Sequence, residues 1–86
     1  MEDTIAAIST STVSSGGIVR ISGPDAIIIG DKVFKSKKNI KLANVQSHTV
    51  HFGNICDNGN EIDEALVIVM KAPNTYTREN IVEIDC

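Results

Sequence analysis

Residues 47–70 read Ser-His-Thr-Val-His-Phe-Gly-Asn-Ile-Cys-Asp-Asn-Gly-Asn-Glu-Ile-Asp-Glu-Ala-Leu-Val-Ile-Val-Met, and they hold the plainest local structure in the chain. From Ser47 to Ile55 the side chains alternate, with His48, Val50 and Phe52 on one face and Thr49, His51 and Gly53 on the other. That is the period of a strand. Cys56-Asp57-Asn58-Gly59-Asn60 supplies a turn, because Asn-Gly tolerates the positive φ values of a tight hairpin loop. The run from Ile62 to Met70 is nearly continuous in apolar residues after Asp63-Glu64, which suits a strand covered on both faces. Strand, turn and strand make an antiparallel hairpin, and the rest of the fold is built beside it.

Upstream, Thr4 to Thr10 is a short β-compatible run, and the hydroxyl-rich stretch Ser11-Thr12-Val13-Ser14-Ser15-Gly16-Gly17 reads as a loop. Ile18-Val19-Arg20-Ile21 is a second short strand, in which Val19 and Ile21 share one face and Ile18 and Arg20 the other. Ser22-Gly23-Pro24-Asp25 carries helix-start chemistry, and Ala26, Ile29 and Val33 at helical spacing predict an amphipathic helix from Asp25 to Lys35. Lys35 to Lys41 has no apolar period and reads as a solvated linker. Downstream, Lys71 to Thr77 breaks the sheet, and Ile81 to Asp85 begins a last strand with Val82 and Ile84 facing opposite to Glu83. The expectation is an α+β fold: a mixed, mostly antiparallel sheet of about five strands with one helix packed on it. A strand followed at once by the chain end reads as a cut inside a domain, with that strand expected to be an unpaired edge or a pairing surface for another copy.

The 86 residues form one small domain or part of one, with eight Lys plus Arg against eleven Asp plus Glu and a net charge of −3. That balance argues against a dedicated nucleic-acid module, although a local basic patch is allowed. Cys56 and Cys86 lack the spacing of a disulfide framework or a zinc site and read as reduced cytosolic thiols. An acidic start, Met1-Glu2-Asp3, and no apolar run near bilayer length predict neither a secretion signal nor a membrane span. There is no phosphate-binding loop, dinucleotide fingerprint or zinc-protease motif.

His48 and His51 are three apart on a strand and diverge, as do the adjacent Asp63 and Glu64, so neither pair forms a metal site or an acid/base couple. The lysines between Lys32 and Lys41 form a solvated linker or touch RNA phosphates. Arg20 and Glu83 stand out. Each lies inside a short strand on the face opposite its β-branched neighbours, where burial without a partner is costly. A salt bridge, an exposed edge position and a ligand site all remain open on this reading.

Three motifs spaced nearly end to end along the chain, Asp3-Thr4-Ile5-Ala6-Ala7, Gly17-Ile18-Val19-Arg20-Ile21-Ser22-Gly23-Pro24-Asp25-Ala26 and Ala72-Pro73-Asn74-Thr75-Tyr76-Thr77-Arg78-Glu79-Asn80-Ile81-Val82-Glu83-Ile84, resemble the N-terminal domain of the MnmE (TrmE) tRNA-modification GTPases. The resemblance implies a truncated tetrahydrofolate-binding and dimerisation domain over residues 1–86, with the fold of the glycine-cleavage aminomethyltransferases and without the helical and GTPase domains that follow in the family. It implies 5-formyl- or methylene-tetrahydrofolate as cofactor, with Arg20 and Glu83 matching the family's folate-contacting Arg and Glu. A further Lys contact would lie beyond Cys86.

GTP, Mg and K would belong to the absent GTPase domain, and the fragment alone would be inactive. The partners implied are a second copy, a flavin-dependent partner protein and tRNA in a cytoplasmic, membrane-free setting, for modification of carbon five of the wobble uridine. A purely architectural dimerisation module and an RNA-contacting domain using the Lys32–Lys41 cluster are the competing expectations. The sequence departs from the family pattern in the Ser11–Ser15 loop, at Arg78 where the family has Gly, and at Asn80 where it has Asp.

Overall fold

The computed structural model describes residues 3–10, 17–73 and 78–86. The expected features at Ser11–Ser15 and at Tyr76-Thr77 lie outside the described residues. The elements run β1 (Ile5–Thr10), β2 (Gly17–Ser22), α1 (Ala26–Val33), β3 (Phe34–Ser36), a 3-10 turn (Leu42–Asn44), β4 (Thr49–Asp57), β5 (Asn60–Met70) and β6 (Ile81–Asp85). The six strands form one sheet in the order β1-β2-β6-β5-β4-β3, and every neighbouring pair is antiparallel. Among the described residues one α-helix lies on it, so the α+β class holds.

The β4–β5 hairpin closes through a two-residue loop between the partners Asp57 and Asn60. Asn58 has φ 51 and Gly59 φ 83, the two successive positive values of the hairpin turn that follows the twist of its strands. The register shifts between Ile55, opposite Asp63, and Cys56, opposite Glu61, so Ile62 is the extra residue of a bulge.

Alternation decides which face is buried. Val19 and Ile21 on β2, Val82 and Ile84 on β6, and Ala65, Val67 and Val69 on β5 point to one side, where Ala26 and Ile27 of α1 and Leu42 of the 3-10 turn cover them. Leu42, Val67, Val69 and Val82 are fully buried. Asp31, at the end of α1, ties the 3-10 turn to the helix: its carboxylate accepts from the backbone N–H of Leu42 at 2.6 Å and of Ala43 at 3.1 Å. The helix start is held from outside, since Asp25 N–H donates to Thr4 Oγ1 at 2.9 Å and no side chain of Asp25 caps the first turn.

The structure corrects four expectations. Among the described residues there are six strands rather than about five, because Phe34–Ser36 leaves the helix at Val33 and pairs with β4; Phe34 and Ser36 are buried there while Lys35 points out. The last strand is not an edge: β6 lies between β2 and β5. Three of its five residues, Ile81, Val82 and Ile84, are buried, and a strand so apolar is satisfied by neighbours on both sides. The Ile62–Met70 run is covered on one face only, with Ile62 and Leu66 exposed on the other. The strand expected from Ser47 begins at Thr49, so His48, with φ 62, lies outside the alternation of Val50 and Phe52.

Candidate functional site

The face of the sheet away from α1 carries the residues of interest. Registration places Arg20 of β2 directly opposite Glu83 of β6, and extends the row to Ala7 of β1 on one side and to Ile68 of β5 and Val50 of β4 on the other. Directly opposed residues on one face have Cβ atoms about 4.5–5.5 Å apart, so the guanidinium and carboxylate rise from neighbouring positions. Arg20 is exposed and Glu83 half-buried. Among the described residues neither side chain makes a hydrogen bond or an ion pair. The structural salt bridge left open by the sequence is therefore not formed in this structure, and both groups are available to a third party.

Their surroundings are apolar. The next row pairs Ile18, Asp85, Leu66 and Phe52 across β2, β6, β5 and β4, and Ile18, Val50, Phe52 and Leu66 are each 41–59% exposed. A ligand lying along these strands would meet a greasy floor crossed by one cation and one anion. Asp85, two residues from Glu83 and on the same face, was not singled out by sequence reasoning. Its Oδ1 is buried and has no hydrogen-bond partner. An orphaned carboxylate oxygen beside two unpaired charged groups is an acceptor in want of a donor. Its only sequence signal was the period-two match to Glu83.

The backbone that leads into β6 is bent at Arg78, whose φ is 62. A left-handed conformation costs a side-chain-bearing residue about 1–2 kcal/mol relative to Gly, which accounts for the Gly that the resembling family carries here. Asn80 closes the same approach: its side-chain oxygen accepts from Ala72 N–H at 2.9 Å and its carbonyl from Gly23 N–H at 3.0 Å. Replacing Arg78 by Gly is therefore expected to raise stability by about 0.5–1 kcal/mol, part of the strain relief being offset by the entropy of the added Gly. A denaturant midpoint that fell instead would show that the Arg78 side chain contributes more than its backbone costs.

His48 and His51 are not brought together on one face. Thr49 Oγ1 lies 2.8 Å from His51 Nε2, and Ser47 Oγ lies 2.7 Å from His48 Nδ1. Cys56 and Cys86 are free thiols. Among the described residues no helix is long and apolar enough to cross a membrane. Two clefts on the described surface lie at the β3 edge, one lined by Asp31, Lys32, Lys35, Lys41 and Cys56 among others, the second by Lys37, Lys38, His51 and Phe52 among others.

Comparison with known proteins gives the family of the chain. Residues 4–86 match the family described as "GTP-binding protein TrmE N-terminus". The chain is similar to the tRNA modification GTPase MnmE of Thermoanaerobacter pseudethanolicus, with 56% identity over 87 residues, covering 98% of this chain and 19% of that protein. The MnmE of Bacillus subtilis is 49% identical over the same share of each chain, and that of Listeria welshimeri is 51% identical over 84 residues. The chain thus spans about a fifth of the length of the curated relatives it matches.

Proposed function

Because the chain belongs to the TrmE N-terminal family, we propose that it is the tetrahydrofolate-binding and homodimerising module of a GTPase that modifies carbon five of the wobble uridine in tRNA. The observation that carries this reading is the placement of Arg20 opposite Glu83, each without a partner among the described residues, on an exposed apolar face. A pterin edge presents a ring N–H beside an exocyclic amine, and the Glu83 carboxylate can accept both as parallel charge-assisted bonds. The Arg20 guanidinium, a planar fork of donors, suits a carbonyl or carboxylate of the same ligand. Ile18 and Leu66 offer apolar surface for the ring stack beside them. Bound there, 5-formyl- or methylene-tetrahydrofolate supplies a one-carbon unit.

The residues of this chain hold and orient; none of them performs a bond-making step. GTP, Mg and K, the uridine chemistry and the contact with a flavin-dependent partner protein belong to segments outside these 86 residues, in a cytoplasmic protein. A second copy is the proposed cover for the rest of the open face, where Val50 keeps 59% of its surface exposed. The architectural alternative needs Arg20 and Glu83 to neutralise each other. Their side chains form no such pair in this structure.

Calorimetric titration of 5-formyltetrahydrofolate into the full-length protein tests the reading. One site per chain is expected, with the heat lost in Arg20→Ala. Absence of heat from the unaltered protein at ligand concentrations up to the millimolar range would leave the architectural role as the better account.

A further inference from the structure

Folate binding leaves the far edge of the sheet unexplained. Residues 32–41 contain five lysines and no acid, whereas the remaining residues carry eleven acids against three cations. The chain is therefore polarised, +5 on one short segment and −8 elsewhere, behind a modest net charge of −3. Lys32, Lys35, Lys37, Lys38 and Lys41 are all exposed. The sixth lysine, Lys71, is committed to the fold, with Nζ donating to the carbonyls of Ala43, at 3.1 Å, and Val45.

The backbone that presents the five is held at both ends. Ser36 Oγ accepts from Ile40 N–H at 2.7 Å and donates to Ile40 O at 3.2 Å, closing the turn between them. Beyond it Leu42 and Ala43 are pinned to Asp31, whose two oxygens are thereby engaged by backbone N–H groups. The lysines thus project from a fixed loop. A cleft of about 310 Å³ lies on one side of it, lined by Lys32, Lys35 and Lys41, and one of about 150 Å³ on the other, lined by Lys37, Lys38 and Phe52. Phe52 is 46% exposed, and Lys37 Nζ stands 5.7 Å from its ring centre.

We infer that this β3 edge is an RNA interface, in which the lysines follow the phosphates of a single-stranded or looped segment and Phe52 offers a ring face to a base. Clustered cations flanking an exposed aromatic ring are the two components that such sites combine. The exposed acids of the β4–β5 hairpin, Asp57, Glu61, Asp63 and Glu64, repel phosphates and confine the strand to the lysine loop. The inference rests on the reading of the whole protein as tRNA-modifying, and not on the folate site.

The test uses full-length protein and a labelled, unmodified tRNA transcript, followed by fluorescence anisotropy over a salt series. Lys35→Glu/Lys38→Glu is expected to bind at least about 10-fold more weakly, with the slope of log K against log salt reduced by about two. Phe52→Ala should lose about 10-fold with the slope unchanged. The lysine variant should keep its folate heat, and Phe52→Ala its far-UV circular dichroism, which checks that the domain remains folded. RNA affinity and slope that match the unaltered protein in the lysine variant would overturn the interface. So would lysine-dependent binding to phosphatidylglycerol vesicles with no binding to RNA.

Cells lacking the gene separate the two levels. If their tRNA keeps its modification, the parent reading fails, while lysine-dependent RNA binding would still support the interface. If modification is lost and the lysine variant binds RNA like the unaltered protein, the interface alone fails.

Discussion

Glu83→Gln is expected to weaken 5-formyltetrahydrofolate binding by about 10- to 100-fold while leaving the fold intact. The substitution keeps shape and volume but replaces a carboxylate that can accept two N–H bonds with an amide that accepts one and presents a donor to the other. Hydrogen bonds to a charged group contribute about 1.5–3 kcal/mol, which sets the range. In the unliganded protein the cost is small, because Glu83 has no side-chain partner among the described residues and sits half-buried opposite Ile68. Thermal unfolding without ligand should therefore barely move. A folate analogue lacking the exocyclic amine sharpens the test, because its penalty and that of Glu83→Gln should overlap rather than add if the two groups touch. Full additivity would remove Glu83 from the pterin edge.

Gly53→Ala is expected to cost about 3 kcal/mol of stability, through the docking of β3. Gly53 sits in β4 opposite Ser36, and a Cβ there would stand 2.1 Å from the carbonyl oxygen of Lys35 and 2.8 Å from the Phe34 ring. The first of these neighbours is backbone and cannot rotate away. Relief requires β3 to shift off β4, which disturbs the buried Phe34 and Ser36 as well. Overpacking of rigid sites costs about 1–3 kcal/mol and at times more, a large share of the roughly 5–10 kcal/mol that holds a domain of this size. Chemical denaturation with an unchanged m-value measures it. A loss below about 1 kcal/mol would mean that β3 is only loosely attached, and the lysine loop that follows would lose its fixed anchor.

What could be read from the sequence divides along the lines of local and non-local information. The β4–β5 hairpin was legible because period-two alternation and Asn58-Gly59 are local signals, and the turn forms at that dipeptide. The opposite orientation of Glu83 to Val82 and Ile84 was legible for the same reason. The β3 strand was not, because it is three residues long and held by Gly53, a partner far along the chain whose value lies in having no side chain. The central position of β6 was hidden too, since strand order depends on which buried residues find one another.

The site fared similarly. Alternation marked Arg20 and Glu83 as misplaced charges, and the family resemblance gave them a ligand; only the register shows that they are neighbours. Asp85 went unnoticed because a carboxylate at a strand end is ordinary until its surroundings show it unpartnered. Net charge says little about the lysine segment, because a total of −3 conceals two opposite poles.

The strand order also bears on synthesis. A growing chain can form the β1–β2 hairpin early and the β3–β4–β5 meander next, but these two pieces share no strand pairing until β6 slots between them. The keystone is the last of these six strands to be made. While residues 81–85 remain inside the ribosome, two sheet fragments have bare inner edges, of the kind that invites association with other chains. Assembly must therefore be concluded after translation of the segment rather than strand by strand, and ribosome-bound intermediates ending before Ile81 are the species on which chaperones should be found.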